Sequence, residues 1–252
     1  MHHPRMASFI LGAAADVQET PMDETKRRFV QAALALPAVL ALPGCGREET
    51  RPARIAGTFF SPAEYRFIEA ATARLIPGDE HDPGAIEADI PLFIDLQLAG
   101  PYGRADRWYM EGPWAAGTEQ QGYQLKQTPA ELYRTAIAGI EEYCRGRHGG
   151  RVFADLSAEQ QDEVLRDLEA GRIELDEVTA KGFFSVLWQN TQEGFLSDPM
   201  YGGNRGFAGW KLIGFPGPRY NYVEEITQYG KPYPLPPVGI LGRDGTRMRT
   251  GA

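Results

Sequence analysis

Residues Phe195 to Tyr222 read FLSDPMYGGNRGFAGWKLIGFPGPRYNY. Six of these 28 residues are glycine and seven are aromatic, so neither a 3.6-residue nor a two-residue apolar repeat runs through them. Glycine admits positive φ, and the prolines at 199, 216 and 218 remove backbone donors and fix turns. Such a stretch is neither an ordinary helix nor a strand. It reads as an ordered loop whose aromatics either cover the domain's own helices or present a rigid surface to a partner. Tyr201, Trp210, Phe215 and Tyr220 are the candidates for partner-facing side chains. The regular elements upstream must then supply the core.

Those elements all read as helices. Ser61-Pro62-Ala63-Glu64 is a capping box with proline at the first helical position. Phe67, Ile68, Ala71, Leu75 and Ile76 follow at helical spacing until Pro77-Gly78. Asp89 to Ala99 predicts a second, short helix with Phe93, Leu96 and Leu98 inward. Thr128-Pro129-Ala130-Glu131 repeats the capping pattern and opens a helix to about Arg145, with Leu132, Ile137, Ile140 and Tyr143 as its stripe. Ser157-Ala158-Glu159-Gln160 opens a fourth, carrying Val164, Leu165 and Leu168 and stopped by Gly171. A fifth is expected from about Leu175 to Phe195, burying Val178, Phe183, Phe184, Val186, Leu187 and Trp188. No segment alternates long enough to make a sheet. The expected fold is all-α, one helical domain over residues 58–228 with long glycine- and aromatic-rich loops.

Gly100 to Gln127 is irregular and carries Trp108 and Trp114, which makes it a lid over the core or a binding loop. Residues 229–252, with prolines at 232, 234, 236 and 237, read as an extended tail, disordered alone or laid on a partner.

A chain of 252 residues can bury a sizeable core, and 42% hydrophobic with 24% charged residues is ordinary for a globular protein. The formal charge of −8 argues against nucleic acid as a partner, because phosphates reward clustered Lys and Arg. No apolar run reaches the ~20 residues that cross a bilayer.

The N-terminus reads as a sorting signal. Residues 1–21 are weakly patterned and are taken as an upstream extension, with Met22 an alternative start. In residues 22–45, the basic block Lys26-Arg27-Arg28-Phe29 precedes the apolar run Ala32 to Leu42 and then Pro43-Gly44-Cys45, an export-signal layout. The block resembles the twin-arginine pattern of proteins exported already folded, here as a Lys-Arg variant. A general secretory signal or an amphipathic segment is the alternative. Cys45 is a candidate for lipidation, and residues 46–57 read as a linker.

Catalytic patterns are sparse. No G-x-G-x-x-G follows a strand, no C-x-x-C-H offers a haem attachment, and no P-loop or G-x-S-x-G elbow occurs. Asp79-Glu80-His81-Asp82 invites a metal reading, but a solvated turn accounts for it better, since zinc and calcium sites need richer or differently spaced ligands. Glu141-Glu142 and Glu224-Glu225 are adjacent and do not converge on a helix. No catalytic, cofactor-binding or metal-ligating residue is nominated in this chain.

The block DPMYGGNRGFAGWKLIGFPG, after the helix-like GFFSVLWQNTQEGFLS, resembles the C-terminal signature of the gluconate 2-dehydrogenase subunit 3 family. FFSPAEYRFIEAATARLIP resembles that family's first helix, and the turn from Pro77 to Ala85 is similar to its P-x-D-x-x-x-P-G-A turn. The resemblance implies a small, non-catalytic subunit of a periplasmic, membrane-associated dehydrogenase. It places FAD in a separate large subunit and haem c in a separate cytochrome subunit. It further implies an escort role, with the flavoprotein exported folded through the twin-arginine machinery, and D-gluconate as the expected substrate. A dissociable export chaperone is one alternative. A free-standing periplasmic sugar-binding or hydrolytic protein, using Trp108, Trp114 and Trp210 as a platform, is another. In an exported chain Cys144 is a leftover cysteine, so an intersubunit disulfide stands beside a buried structural role; the polar run YCRGRHGG favours exposure.

Overall fold

The computed structural model describes residues 58–242, apart from 116, 119 and 120. The extension 1–21, the export signal with Lys26, Arg27, Arg28 and Phe29, the lipidation candidate Cys45, the linker 46–57 and the end of the tail lie outside the described residues.

Six α-helices follow one another among them: α1 Pro62–Leu75, α2 Ile90–Ala99, α3 Pro129–Arg147, α4 Ala158–Glu169, α5 Ala180–Leu196 and α6 Ala208–Ile213. No strand occurs among the described residues, so the fold is all-α as expected. All three predicted capping boxes form: Ser61 with Glu64, Thr128 with Glu131 and Ser157 with Gln160 each exchange side-chain and backbone bonds.

Helix α5 is the centre and packs against every other helix. Phe183, Val186, Leu187, Asn190, Thr191, Gly194 and Phe195 recur at three- and four-residue steps and are all buried. Against them lie Phe67 and Ile68 of α1, Ile94 and Leu98 of α2, Tyr133 and Ile140 of α3 and Leu168 of α4. Each fully buried Phe or Leu contributes roughly 2–3 kcal/mol of transfer free energy. The start of α5 is later than the periodicity predicts. Thr179 holds an extended backbone and its Oγ1 accepts from Gly182 N at 3.2 Å, so the helix starts after it and residues 175–178 stay non-helical.

Polar side chains join the layers where helices meet. The buried Asp95 carboxylate of α2 accepts from the backbone N–H groups of Thr58 (2.6 Å), Phe59 (3.0 Å) and Phe60 (2.8 Å), fixing the entry to α1. Arg134 of α3 lies 4.3 Å over the Phe59 ring and donates to Phe59 O. Arg74 of α1 forms two bonds to Asp162 of α4, at 2.7 and 2.8 Å, which hold the Asp162 carboxyl below its ordinary range. The buried Asn190 side chain accepts from Tyr133 OH at 2.9 Å and from Tyr102 OH at 3.1 Å, tying α5 to α3 and to the loop after α2. Burial pushes the Tyr102 phenol to about 12 and the Tyr133 phenol well above its usual value.

Of the two readings of Cys144 the buried one holds, and the exposure suggested by its polar neighbours is corrected. It continues the inward row Tyr133, Ala136, Ile137 and Ile140 of α3 and has 0% of its surface exposed. Burial pushes its thiol up to about 12. The polar sequence around it belongs to the other faces of the helix, so a disulfide to a partner would require α3 to open.

Candidate partner-binding surface

The glycine-rich stretch after α5 does not float. Asp198 caps a short 3-10 turn, its Oδ1 accepting from Met200 N at 3.0 Å. Asn204 is fully buried in the left-handed region; its Nδ2 donates to Ser197 O (2.7 Å) and its Oδ1 accepts from Gly209 N (2.8 Å). Arg205 N donates to Ala88 O at 3.2 Å, and the Arg205 guanidinium lies 3.6 Å from the buried Asp89 carboxylate. A second left-handed residue, Phe207, then leads into α6. The expectation that no helix forms here is therefore corrected by one six-residue helix. It closes on α5 because Gly209 has no side chain: a Cβ there would fall 2.0 Å from Phe195 O.

Trp210 is the anchor of this arrangement. It is 4% exposed, donates from Nε1 to Leu196 O at 2.7 Å, stacks on Phe207 at 5.3 Å and meets the edge of Phe215 at 4.9 Å. Its proposed partner-facing role is corrected, and so is its place in a three-tryptophan sugar platform. Tyr201, Phe215 and Tyr220 do face outward, at 49%, 40% and 102% exposure.

They are not alone. Of the fifteen large hydrophobic side chains exposed among the described residues, twelve lie between Leu196 and Leu241, and the other three are Trp108, Tyr109 and Trp114. Monomeric proteins rarely leave such clusters uncovered. The charge changes with them: residues 58–195 contain 24 acidic and 12 basic residues, whereas 196–241 contain three and four. Depletion of charge around exposed aromatics is the composition of an interface centre. An open cleft of about 570 Å³, lined by Phe93, Gln97, Gln192, Glu193, Leu196, Ser197 and Tyr201, runs into the edge of this surface.

The tail, expected to leave the domain at residue 229, doubles back onto this stretch as far as it is described. Tyr233 packs edge-on against Tyr222 at 5.7 Å, and Arg219 lies over the Tyr233 ring while donating to Pro236 O. Val238 N donates to Pro216 O at 3.3 Å, and Ile240 N to Asp198 Oδ2 at 2.8 Å. Gly217 makes this approach feasible, since a Cβ there would sit 2.0 Å from Val238 O and its φ is +81°. The roles of Asp95, Asn190, Asn204 and Asp198 were missed from sequence. Asp95 had a signal: it is the one charged residue of the helix IPLFIDLQLA.

No group of three or more His, Cys, Asp or Glu side chains that could hold a metal occurs among the described residues. The acidic turn uses its own carboxylate: Asp79 Oδ1 accepts from His81 N and Asp82 N, which lowers its pKa. The glycine cluster differs from a dinucleotide-binding turn, which follows a strand. The glycines at 202–209 follow a helix and a 3-10 turn, and their backbone is taken up by Asn204 and α5.

Among the described residues, a helical body is followed by a stretch, Leu196 to Leu241, that carries twelve exposed large apolar side chains. The family described as gluconate 2-dehydrogenase subunit 3 matches residues 62–217, and the chain belongs to it. It is thus a small subunit of a multi-subunit dehydrogenase complex. No curated relative and no solved structure matches the chain.

Proposed function

We propose that this chain is the non-catalytic small subunit of a periplasmic, membrane-associated dehydrogenase that converts D-gluconate to 2-keto-D-gluconate. In this reading FAD resides in the large subunit and haem c in a cytochrome subunit. The chain supplies the export signal, through Lys26, Arg27, Arg28 and Phe29, and a surface that steadies the flavoprotein. The observation that carries the reading is the crowding of twelve exposed apolar side chains onto residues 196–241, set on the buried anchors Trp210 and Asn204. A partner that covers this face removes apolar area from water at roughly 25 cal/mol per Å², and association is favourable once that exceeds the cost of immobilisation.

The test is affinity purification of the tagged chain from its native membranes, with a visible spectrum and a gluconate-dependent dye-reduction assay. A flavoprotein in stoichiometric amount, with activity, is the expected result. A chain recovered alone and colourless, while activity stays in the membrane, supports the dissociable export chaperone instead. Activity towards another sugar acid retains the subunit and replaces the substrate.

A further inference from the structure

The docking surface has a part that the glycine-aromatic stretch does not supply. Residues 231–242 contribute Leu235, Ile240 and Leu241 to it, all about half exposed or more. Extended, proline-rich chain is ordered only where something holds it. Here Asp198 does so from the far side: one carboxylate oxygen caps the turn at Met200 and the other accepts from Ile240 N. Gly239 lies so close that a Cβ would stand 3.2 Å from both Asp198 oxygens and 3.3 Å from Phe207. Arg219 grips the same segment at Pro236 and Tyr233. Within this tail Tyr233 packs on Tyr222 and the backbone bonds inward at Val238 and Ile240, while Leu235, Ile240 and Leu241 stay exposed.

We propose that residues 231–242, clasped by Asp198, are an integral wall of the docking surface, and that this composite surface takes an apolar, weakly charged face of the large dehydrogenase subunit. The inference rests on the subunit reading above. Charge selects the occupant. With three acidic and four basic residues in 196–241 the surface offers no field to a strongly charged partner, while the body, with 24 acidic and 12 basic residues, would steer a basic protein elsewhere. Glu224 and Glu225, set between the exposed Val223 and Ile226, oppose an anionic lipid surface.

The test uses two variants of the full chain in the complex. Leu235→Ser, Ile240→Ser and Leu241→Ser combined change only exposed side chains. They should leave thermal unfolding of the chain unchanged while the flavoprotein leaves the immobilised chain about 10-fold faster or more. Asp198→Ala should speed hydrogen exchange across residues 235–242 of the free chain and leave exchange in α1 to α5 unchanged. Wild-type release from the serine variant, beside a wild-type chain that holds the flavoprotein, overturns the tail proposal alone. Unchanged exchange in Asp198→Ala overturns the clasp. A wild-type chain that holds no flavoprotein overturns the subunit reading and this proposal together. Binding of the free chain to phosphatidylglycerol vesicles, lost in the serine variant, overturns the choice of a protein occupant.

Discussion

Among the described residues, 58–195 leave three large apolar side chains exposed, Trp108, Tyr109 and Trp114, and carry twice as many acidic as basic residues, while residues 196–241 expose twelve such side chains at near-neutral charge. Both halves are held by the same kinds of contact. In the body, Asp95 gathers three backbone N–H groups; in the C-terminal module, Asp198 gathers two. The difference lies in what the fixed backbone is used for. Asp95 in the body serves the buried core, to which Ala208 of α6 also belongs. The anchors in the module hold an apolar face open, at a cost in solvation that only a covering surface removes. One compact unit thus combines a helical body with a C-terminal stretch that leaves most of the exposed large apolar side chains.

The largest effects should come from the anchors, and they should break both halves alike. Trp210→Ala removes a buried indole, its bond to Leu196 O and its stacking on Phe207. A loss of about 4 kcal/mol is expected, read by urea unfolding. Asp95→Ala leaves the N–H groups of Thr58, Phe59 and Phe60 without their acceptor. It should cost about 3 kcal/mol and free the segment before α1, seen as faster hydrogen exchange at Phe60.

The outward residues should separate the halves. Tyr220→Ser, Val223→Ser and Ile226→Ser combined are expected to move stability by less than about 0.5 kcal/mol, yet to release the flavoprotein in a pull-down. Stability loss without release would place these side chains in the core's service and erase the comparison.

Cys144 gives an effect confined to the body and to alkaline pH. Its thiol is raised to about 12 by burial, so above pH 9 an unfolded chain loses this proton while the folded chain keeps it. Stability therefore falls as pH rises from about 9 towards 12 and is independent of this group below that window. Relative to Cys144→Ala, the wild type should lose about 1 kcal/mol between pH 8 and pH 10. Thiol reagents at pH 8 should leave Cys144 of the native chain unmodified, read by mass spectrometry of its peptide.

What the sequence disclosed follows from the range of the contacts involved. Ser61 with Glu64, Thr128 with Glu131 and Ser157 with Gln160 bond within four residues, so their pattern is legible in one dimension. Apolar rows on α1, α3, α4 and α5 were legible for the same reason. The polar run around Cys144 suggested exposure, but those neighbours occupy different faces of α3 from the buried row that Cys144 continues. Trp210 and Tyr220 could not be told apart. Between them and α5 the backbone takes positive φ at Gly202, Asn204, Gly206, Phe207, Gly214 and Gly217, and each reversal breaks the link between spacing and direction. The return of the tail depends on Asp198 meeting Ile240, 42 residues apart, which no local pattern encodes.

The most direct measurement is hydrogen exchange along the chain, free and bound to the flavoprotein. The account predicts new protection within residues 196–241, with α1, α3 and α4 unchanged. New protection in α3 and α4, with 196–241 still exchanging as in the free chain, would contradict it.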